Sequence, residues 1–416
     1  MPRPTRVDRN SLRPWQISAL DAWESSDRRA IIAAATGTGK TRLALAAMGE
    51  VSPDWRSVVV VPTKSLQNQW ISEITSQLRI RPDDVGTMGG SSPNIRVDHR
   101  VVVAVLNSAR TRLPGLVDHW RSEGSETFLV VDECHWVGAR STATELFSCE
   151  YGATLGLSAT PERGDDGMDD FLIPNLGDVA YRYPLRTALD DGLLSPLLAA
   201  NVYIDLSEIE QHEYQDLEQQ LLAATARGDD SQIARILDKQ RSVLRQAGGR
   251  TVALEALAAG GAFSGRRAIL FHETIDQAER SADALSRVGV KHAVEHSKLS
   301  SDARAAALRR FETGSVDALV TVRALDEGID VPAANLAVIV SGTMNPRQRI
   351  QRVGRVVRPS GGHALVITLL AQGTAEEQVV GANDSILFGR ERVLDIRKWN
   401  SGDPAALVAY LTSITV

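Results

Sequence analysis

The amino-acid sequence predicts an α/β protein in which two parallel-sheet domains follow one another along the chain. Its 416 residues are too many for one ordinary domain and suit two domains of about 200 residues each. Short apolar runs rich in β-branched residues alternate with helical patterns, and these runs lack the polar alternation of a sheet with one solvated face. A polar helical stretch at residues 207–257 interrupts this rhythm once. These observations favour two sheets, each covered by helices on both faces.

The apolar runs in both halves of the chain are the expected strands. In the first half, strands are expected at residues 30–34, 57–62, 99–106, 127–133 and 153–160. In the second half, strands are expected at residues 267–271, 291–296, 317–322, 336–342 and 363–370. Between the two series, Gly-Asp-Asp at residues 228–230 predicts a turn that separates two helices. The pattern therefore predicts a first domain at 1–195, a helical linker or insertion at 196–258 and a second domain at 259–416.

Composition and charge exclude several classes of protein. Apolar residues make up 43% and charged residues 24% of the chain, which is typical of a globular protein and not of a disordered one. The formal net charge is −6, so a nucleic-acid partner would need a local basic groove. The two cysteines, Cys134 and Cys149, lack the spacing of a zinc site or a disulfide framework. Without a membrane-length apolar segment or the apolar core of a signal peptide, the sequence predicts a cytoplasmic protein with no membrane partner.

A phosphate-binding loop is predicted directly after the first strand, where residues 34–41 read AATGTGKT. The segment matches the GxxxxGK[ST] pattern except that alanine stands in place of the first glycine. Gly37 and Gly39 allow backbone N–H groups to surround phosphate oxygens, and the helix N-terminus adds a positive field. Lys40 is expected to reach the β- and γ-phosphates, and Thr41 is expected to ligate Mg²⁺. The predicted ATP-binding residues of this loop are Thr36, Gly37, Thr38, Gly39, Lys40 and Thr41.

An acidic pair follows another buried run, because residues 128–131 lead directly into Asp132 and Glu133. This places the pair at the carboxyl end of a strand, where ligands bind in open α/β sheets. Asp132 can hold Mg²⁺, and Glu133 can orient and deprotonate the attacking water. An acidic pair at a strand end can also cap a helix, but a phosphate loop in the same domain favours the catalytic interpretation.

The two motifs together resemble those of the superfamily 2 helicases and translocases, in which residues 132–135 (DECH) correspond to the DExH box. The rest of that family's motif set follows in order, from about Leu12 to Arg358. The resemblance implies two RecA-like domains of the P-loop NTPase class, with ATP and Mg²⁺ as cofactors. It leaves the helical segment either between the domains or inserted after the first.

Two further segments of the first half resemble nucleotide-site and coupling motifs of the family. Residues 12–16 (LRPWQ) resemble the segment whose glutamine contacts adenine, which implies that Arg13 and Gln16 bind the nucleotide. Residues 158–160 (SAT) resemble the element that couples hydrolysis to movement along the strand. The implied coupling residues are His135, Ser158 and Thr160.

Nucleic-acid contacts in the first half are implied by the resemblance alone. Residues 62–66 (PTKSL) resemble the family's first nucleic-acid-contact loop, which implies contacts from Thr63 and Lys64. Asn107 and Ser108 are weaker candidates for the same track.

In the second half, residues 351–358 (QRVGRVVR) match the pattern QRxGRxxR. Arg355 and Arg358 are three positions apart and are predicted to face the same side of a helix. Guanidinium groups suit a developing phosphoryl charge, although a solvated basic face has the same spacing. The resemblance implies that both arginines are arginine fingers, supplied when the cleft between the domains closes, and that Gln351 lies near the nucleotide.

The loop at residues 326–332 (DEGIDVP) follows the strand predicted at 317–322. In the family this loop contacts both ATP and the nucleic-acid backbone. The resemblance implies that Gly328 allows a close backbone approach and that Asp330 approaches the ribose. It also implies that Thr321 contacts a nucleic-acid phosphate.

The implied function is a motor that couples Mg-ATP hydrolysis to movement along DNA. Residues 320–359 most resemble the branch that contains xeroderma-pigmentosum-B-type helicases and the motor subunits of type I and III restriction enzymes. That branch mostly acts on duplex DNA, so DNA is the expected partner ahead of RNA.

Four alternatives stay open at this point. They are an RNA helicase, the motor subunit of a restriction or phage-defence complex that translocates without unwinding, a nucleotide-gated scaffold, and a P-loop ATPase that does not act on nucleic acid. The segments that contain Thr63 and Thr321 weigh against the last of these. The five predicted catalytic residues argue against the scaffold, and they are Lys40, Asp132, Glu133, Arg355 and Arg358. Residues 207–257 match no motif of the family and are either a protrusion that grips DNA or a helical linker hairpin.

Overall fold

The structure is a computed structural model that describes residues 6–89, 94–163, 165–322, 334–341, 346–357 and 362–399, with five residues between 403 and 411. It divides into two compact units. The first is built mainly on Met1–Ala188, and the second begins at Leu189. Among the described residues, no helix combines the length and the apolar character that spanning a bilayer requires.

The first unit is a seven-stranded sheet with the order β3-β4-β2-β5-β6-β1-β7. Its strands are β1 (Arg29–Ala34), β2 (Arg56–Val61), β3 (Val85–Met88), β4 (Val101–Val105), β5 (Thr127–Asp132), β6 (Ala153–Ser158) and β7 (Val179–Tyr183). Its helices are α1 (Pro14–Ser25), α2 (Lys40–Glu50), α3 (Lys64–Leu78), α4 (Leu106–Ser122), α5 (Arg140–Leu146) and α6 (Ile173–Leu176), with α7 (Leu185–Asp190) at the junction of the units. Every pairing between these strands is parallel.

The second unit is also a seven-stranded parallel sheet, with the order β10-β11-β9-β12-β13-β8-β14. Its strands are β8 (Leu197–Ile204), β9 (Ala268–His272), β10 (His292–Glu295), β11 (Ala318–Val322), β12 (Leu336–Ile339), β13 (Ala364–Ala371) and β14 (Val393–Ile396). Its helices are α8 (Glu208–Arg227), α9 (Asp230–Gln246), α10 (Gly249–Ala259), α11 (Ile275–Arg287), α12 (Ser301–Glu312), α13 (Pro346–Val353) and α14 (Ala375–Phe388).

The central strands are buried on both faces, which explains their continuous apolar runs. Val58, Val59, Val60 and Val61 of β2 are buried, and so are all eight residues of β13. A parallel sheet reaches this state because helices return the chain across both of its faces. The predicted α/β class with two parallel sheets in tandem is confirmed.

The boundary between the units differs from the predicted one. Residues 196–258 are predicted to be a helical linker or insertion, but β8 joins the second sheet between β13 and β14. Helices α8 and α9 pack side by side, and Tyr214, Leu217 and Leu244 from them lie in the second hydrophobic core. Residues 197–204 are an apolar run like those of the predicted strands, and the strand was missed because this run directly precedes the polar helical stretch.

Local signals determine the ends of the α8–α9 hairpin. Ser207 and Glu210 form a capping box, in which the Ser207 N–H donates to Glu210 Oε2 at 2.8 Å. Gly228 ends α8 in the left-handed region with φ of 67°, and the Asp229 carboxylate caps α9 by accepting from the Gln232 N–H at 3.0 Å. The turn predicted at residues 228–230 is confirmed.

A buried arginine connects the layers of the second unit. Arg250 on α10 is 2% exposed, and its Nε donates to the Leu244 carbonyl at 2.8 Å. Its Nη1 donates to the carbonyls of Val340 and Leu369 at 2.8 and 2.6 Å. Its Nη2 donates to both carboxylate oxygens of Glu376 on α14, at 2.8 and 2.6 Å. One guanidinium therefore joins α10, the ends of two strands and α14.

We predict that Arg250→Met destabilises the second unit, because the Glu376 carboxylate and three carbonyls would stay buried without these donors. Removing one partner of a buried ion pair typically costs about 3–5 kcal/mol. Hydrogen exchange of the β13 amides at increasing urea measures the free energy of opening in this unit alone. Arg235→Met is the matched control, because Arg235 is exposed on α9 and its loss should cost within about 0.5 kcal/mol. Equal effects of the two substitutions would contradict this role of Arg250.

Candidate active site

The predicted site residues of the first unit lie at one edge of its sheet. The phosphate loop at residues 35–39 follows β1, Asp132 ends β5 and Ser158 ends β6. Thr63 lies two residues after the end of β2. Asn107 is the second residue of α4, which directly follows β4. Because these strands are parallel, all of their carboxyl ends meet at the same edge.

The phosphate loop has the backbone that its glycines predict. Gly37 and Gly39 have φ of 81° and 101°, in the left-handed region that favours glycine. Gly39 is the N-cap of α2, so the first N–H groups of that helix point toward the loop. The Lys40 ammonium donates to the carbonyls of Ala34 and Ala35, at 2.9 and 3.4 Å. The lysine is thus held against the loop that it is predicted to serve.

The threonines of the loop differ in their surroundings. Thr38 is buried, and its hydroxyl donates to the Ala35 carbonyl at 2.7 Å. Thr36 and Thr41 are half-buried, and Thr41 lies in the first turn of α2. Only Thr36 and Thr41 therefore keep side chains within reach of solvent.

Arg13 and Gln16 hold the phosphate loop from the side of α1. Arg13 Nη1 donates to the Thr38 carbonyl at 2.8 Å, and Gln16 Nε2 donates to the Gly39 carbonyl at 2.9 Å. Gln16 is buried, and its Oε1 accepts from the Arg13 N–H at 2.8 Å. A β-carbon at Gly39 would lie 2.9 Å from Gln16 Nε2, so this contact also requires glycine there. An adenine contact from either side chain stays a prediction.

The Asp132 carboxylate is fixed by two donors. Its Oδ1 accepts from the Glu133 N–H at 3.0 Å, and its Oδ2 accepts from the indole Nε1 of Trp70 at 2.7 Å. Burial, together with the neighbouring Glu133 carboxylate, raises the pKa of Asp132 to about 6. Trp70 was not predicted as a site residue, because a single tryptophan in an amphipathic helix has the pattern of a core residue.

Glu133 is held in an uncommon backbone conformation. Its φ is 48°, in the left-handed region that side chains other than glycine rarely adopt. Its Oε2 is buried and has no hydrogen-bond partner among the described residues, although the His135 Nδ1 lies 3.5 Å away. Strained backbone and an unsatisfied buried polar atom are both features that cluster at functional sites.

The three predicted coupling residues lie in contact. His135 is buried, and its Nδ1 is 3.0 Å from the Ser158 hydroxyl, which also accepts from the Thr160 N–H at 3.1 Å. Arg163, which was not predicted, donates to the His135 carbonyl. Trp136, which follows His135 in the sequence, is 43% exposed, and its ring centroid lies 5.8 Å from that of His135. The ends of β5 and β6 are thus linked directly through side chains.

The first unit also has the oxygen donors that suit Mg²⁺. Among the described residues, no group of three His, Cys, Asp or Glu side chains could hold a metal ion alone. A cation at the predicted ligands Asp132 and Thr41 would therefore depend on one carboxylate, one hydroxyl and oxygens of a bound phosphate. Mg²⁺ is commonly held in this way, so the residues present fit it.

The first-unit candidates for nucleic-acid contact lie beside this site. Thr63 is the N-cap of α3, and its hydroxyl accepts from the Leu66 N–H at 3.4 Å. Lys64 and Asn107 are exposed, whereas Ser108 is half-buried. A β-carbon at Gly89 would lie 3.0 Å from the Ser108 Oγ, so the loop after β3 also reaches this part of the edge.

Thr321 on β11 is fully buried in the second unit. Its hydroxyl donates to Glu295 Oε2 at 2.9 Å, and Arg304 Nε donates to Glu295 Oε1 at 2.7 Å. The sequence predicts a nucleic-acid contact here, but the structure gives this hydroxyl an internal partner. A phosphate contact at Thr321 stays a prediction.

The arginine motif differs from its predicted local structure. Helix α13 ends at Val353, so Arg355 lies in the turn that follows and not on the helix. The Arg355 N–H donates to the Arg352 carbonyl at 3.1 Å, as expected for a turn that tightens after a helix. Gln351 lies on α13 and is half-buried. The other predicted residues, Gly328, Asp330 and Arg358, lie outside the described residues.

A second arginine of the motif region, which was not predicted, anchors α13. Arg349 is buried and forms an ion pair with Asp384 on α14, and its Nη2 donates to the Thr368 hydroxyl at 2.8 Å. The sequence does not show which of Arg349 and Arg355 is buried in the core, because both occur in one basic segment.

Two family profiles match the chain. The profile described as "Type III restriction enzyme, res subunit" matches residues 9–163, and "Helicase conserved C-terminal domain" matches residues 248–360. The first match falls within the first compact unit, and most of the second match falls in the second unit.

Curated relatives extend over most of the chain. The DNA 3'-5' translocase XPB2 of Sulfurisphaera tokodaii is 28% identical over 400 residues, which are 90% of this chain and 85% of that protein. A putative DNA 3'-5' helicase Rad25 of Halobacterium salinarum is 29% identical over 385 residues, 90% of this chain and 56% of that protein. The DNA 3'-5' helicase XPB of Kineococcus radiotolerans is 25% identical over 410 residues, 95% of this chain and 67% of that protein. The chain therefore spans most of the first relative but only about half of the second.

Solved structures share the fold. S. cerevisiae Dbp5 bound to RNA and ADP BeF3 has a TM-score of 0.61 at 15% identity, over 99% of this chain and 100% of that one. The type ISP restriction-modification enzyme LlaBIII bound to DNA has a TM-score of 0.61 at 15% identity, over 97% of this chain and 33% of that one. The Pyrococcus furiosus Hef helicase domain has a TM-score of 0.58 at 18% identity, over 91% of this chain and 99% of that one. The two profiles and the helicase and translocase relatives along the chain confirm the resemblance to the superfamily 2 helicases and translocases, and the solved structures confirm two RecA-like domains in tandem.

Proposed function

We propose that the protein hydrolyses ATP to move along DNA, as a helicase or a translocase. One observation carries the proposal. At one edge of the first sheet, the predicted nucleotide residues follow β1 and β5, and the predicted nucleic-acid residues follow β2 and β4. Strands β5 and β2 are hydrogen-bonded neighbours, so the two sets of residues adjoin each other.

The nucleotide end of this edge supports ATP hydrolysis. We assign phosphate binding to residues 36–41, with Lys40 as the charge that stabilises the transferred phosphoryl group. We assign Glu133 as the base for the attacking water, since its Oε2 is buried and has no hydrogen-bond partner among the described residues. Asp132 and Thr41 would hold Mg²⁺, which when bound neutralises charge on the phosphates. Arg13 and Gln16 keep the loop in place through its carbonyls, whatever they contribute to adenine.

The nucleic-acid end supports binding to a sugar-phosphate backbone. The candidates here are an exposed lysine, the N-terminus of a fifteen-residue helix and an exposed asparagine. Such groups contact phosphates and do not read base edges, so we expect binding without strong sequence preference. The curated relatives that match most of the chain are named for DNA, whereas those named for RNA match 42% of it, which favours DNA over RNA as the partner.

We propose that His135, Ser158 and Thr160 couple ATP hydrolysis to movement along the strand. Their hydrogen bonds join the end of β5, which carries the acidic pair, to the end of β6. For the second unit, we keep Arg355 and Arg358 as donors to phosphoryl charge, Gln351, Gly328 and Asp330 as nucleotide contacts, and Thr321 as a nucleic-acid contact. These roles rest on the motif pattern.

A second function also has support. In this alternative, the protein is the motor subunit of a restriction or defence complex and translocates without unwinding. One family profile is that of a restriction subunit, and LlaBIII shares the fold over 33% of its own chain. Protein partners would then supply cleavage. The cytoplasm is the compartment that we propose for either function.

Steady-state ATPase rates test the proposal. They are compared without nucleic acid and with single-stranded DNA, duplex DNA or RNA, and Glu133→Gln is the inactive control. Stimulation by either form of DNA is expected, whereas stimulation by RNA alone would contradict a DNA motor. Displacement of a paired strand indicates a helicase, and displacement of a triplex strand without unwinding indicates a translocase.

We predict that Lys40→Ala lowers ATP turnover by about a hundred-fold or more, because this ammonium is the proposed charge that stabilises the transferred phosphoryl group. DNA affinity, measured by fluorescence anisotropy, should stay close to that of the unchanged chain. Lys239→Ala on the exposed face of α9 is the matched control and should alter neither quantity. Normal hydrolysis by the Lys40 variant would show that the site has been assigned wrongly.

We predict that Arg355→Ala lowers kcat by about a thousand-fold and leaves ATP affinity nearly unchanged, since an arginine finger acts on transition-state charge. Binding of a fluorescent ATP analogue and steady-state turnover measure the two effects separately. Arg310→Ala, at an exposed position of α12, is the control for removal of a charge. Equal losses of binding and turnover would indicate a folding role for Arg355 instead.

A further inference from the structure

Helix α3 has two buried polar side chains that reach toward the edge of the first sheet where the candidate site residues lie. Trp70 is 1% exposed and donates from its indole Nε1 to Asp132 Oδ2 at 2.7 Å. Gln67 lies three residues earlier and is also buried, and its Nε2 donates to the carbonyls of Met88 and Val103, at 3.2 and 2.8 Å. Residues three apart lie on the same helix face, so both contacts belong to one side of α3.

These contacts join α3 to three strands. Met88 ends β3, Val103 is the middle residue of β4, and Asp132 ends β5. The same helix begins with Thr63 as its N-cap and the exposed Lys64, which are the proposed nucleic-acid residues. One rigid element therefore contacts both the proposed nucleic-acid loops and the proposed magnesium ligand.

The chemistry of the indole makes this contact directional. An indole has one N–H donor, and the ring is rigid and enclosed in the core, so Trp70 cannot follow Asp132 if α3 shifts. With Oδ1 held by the Glu133 N–H and Oδ2 by Trp70, the orientation of the carboxylate is determined by β5 and α3 together. A shift of α3 along its axis would therefore rotate or release the Asp132 carboxylate.

We propose that Trp70 is a positioning residue that links nucleic-acid binding at the N-terminus of α3 to the Asp132 carboxylate, and so to ATP hydrolysis. The inference rests on the proposed function, because it takes Asp132 as a magnesium ligand and Thr63 and Lys64 as nucleic-acid contacts. It adds a residue outside the family motifs identified in the sequence, and a route by which DNA raises the rate of hydrolysis.

The test replaces Trp70 by phenylalanine, which keeps an aromatic ring and removes the N–H donor. We expect the DNA-stimulated kcat to fall by about ten-fold or more, as is usual when a partner of a metal ligand is removed. The rate without DNA should fall less, so that the stimulation ratio decreases. Dissociation of Mn²⁺, a paramagnetic substitute for Mg²⁺, from the complex with a non-hydrolysable ATP analogue is measured by EPR. Its constant should rise by about ten-fold.

Trp120→Phe and Trp23→Phe are the matched controls. Both indoles are buried in the same unit, and each donates at 2.8 Å to a backbone carbonyl, of Val97 and of Thr154 respectively. A loss of packing alone would affect all three variants in the same way, whereas a positioning role is specific to Trp70. If Trp70→Phe does not fold, a benzothienylalanine at this position keeps the shape of the indole and removes only the N–H.

An unchanged stimulation ratio and an unchanged Mn²⁺ constant in the Trp70 variant would overturn the inference, and so would equal changes in the controls. A chain whose ATPase responds to no nucleic acid would contradict the proposed function instead. In that case the Mn²⁺ constant still tests whether Trp70 positions Asp132.

Discussion

Parallel strand pairing is the constraint on which the rest of this structure depends. In each seven-stranded sheet, every pairing between strands is parallel, so each connection must bring the chain back to the same starting edge. The loops that leave the strands are therefore collected at the opposite edge. In the first unit this brings together the phosphate loop, the acidic pair and the α3 N-terminus, which are widely separated in sequence. The candidate site at this edge depends on the parallel pairing of the strands, since no single segment of the chain contains all of its residues.

Buried polar side chains then determine how the elements at these edges are oriented. In the first unit, Gln67 binds carbonyls of β3 and β4, and Trp70 binds the Asp132 carboxylate, from within the core. In the second unit, Arg250 and Arg349 bind strand residues and the acidic side chains of α14. Such groups are costly to bury unless they are satisfied, and these are satisfied mostly by backbone or by a charged partner. Each contact therefore tolerates little displacement. This suits elements that must keep the groups of the candidate site in fixed relative positions.

The sequence predicts the central strands and most of the site of the first unit, because both depend on local patterns. Continuous apolar runs and glycine-rich turns are visible without knowledge of the partners. The strands it missed are the short or half-exposed edge strands β3, β7 and β14, and β8, which directly precedes the polar helical stretch. The contact of Trp70 with Asp132 and the turn that contains Arg355 depend on tertiary packing. A pattern of residue types cannot show where a helix ends or which core side chain reaches a carboxylate.

Trp136 gives the edge that carries the candidate site a fluorescence signal of its own. The other tryptophans are more enclosed: Trp15, Trp23, Trp70 and Trp120 are buried, and Trp55 and Trp399 are half-buried. A water-soluble collisional quencher therefore reaches Trp136 more readily than any of these rings. The fluorescence lost to such a quencher reports on solvent access one residue from His135. Occupation of this edge by a bulky molecule can thus be followed by emission from the unlabelled protein.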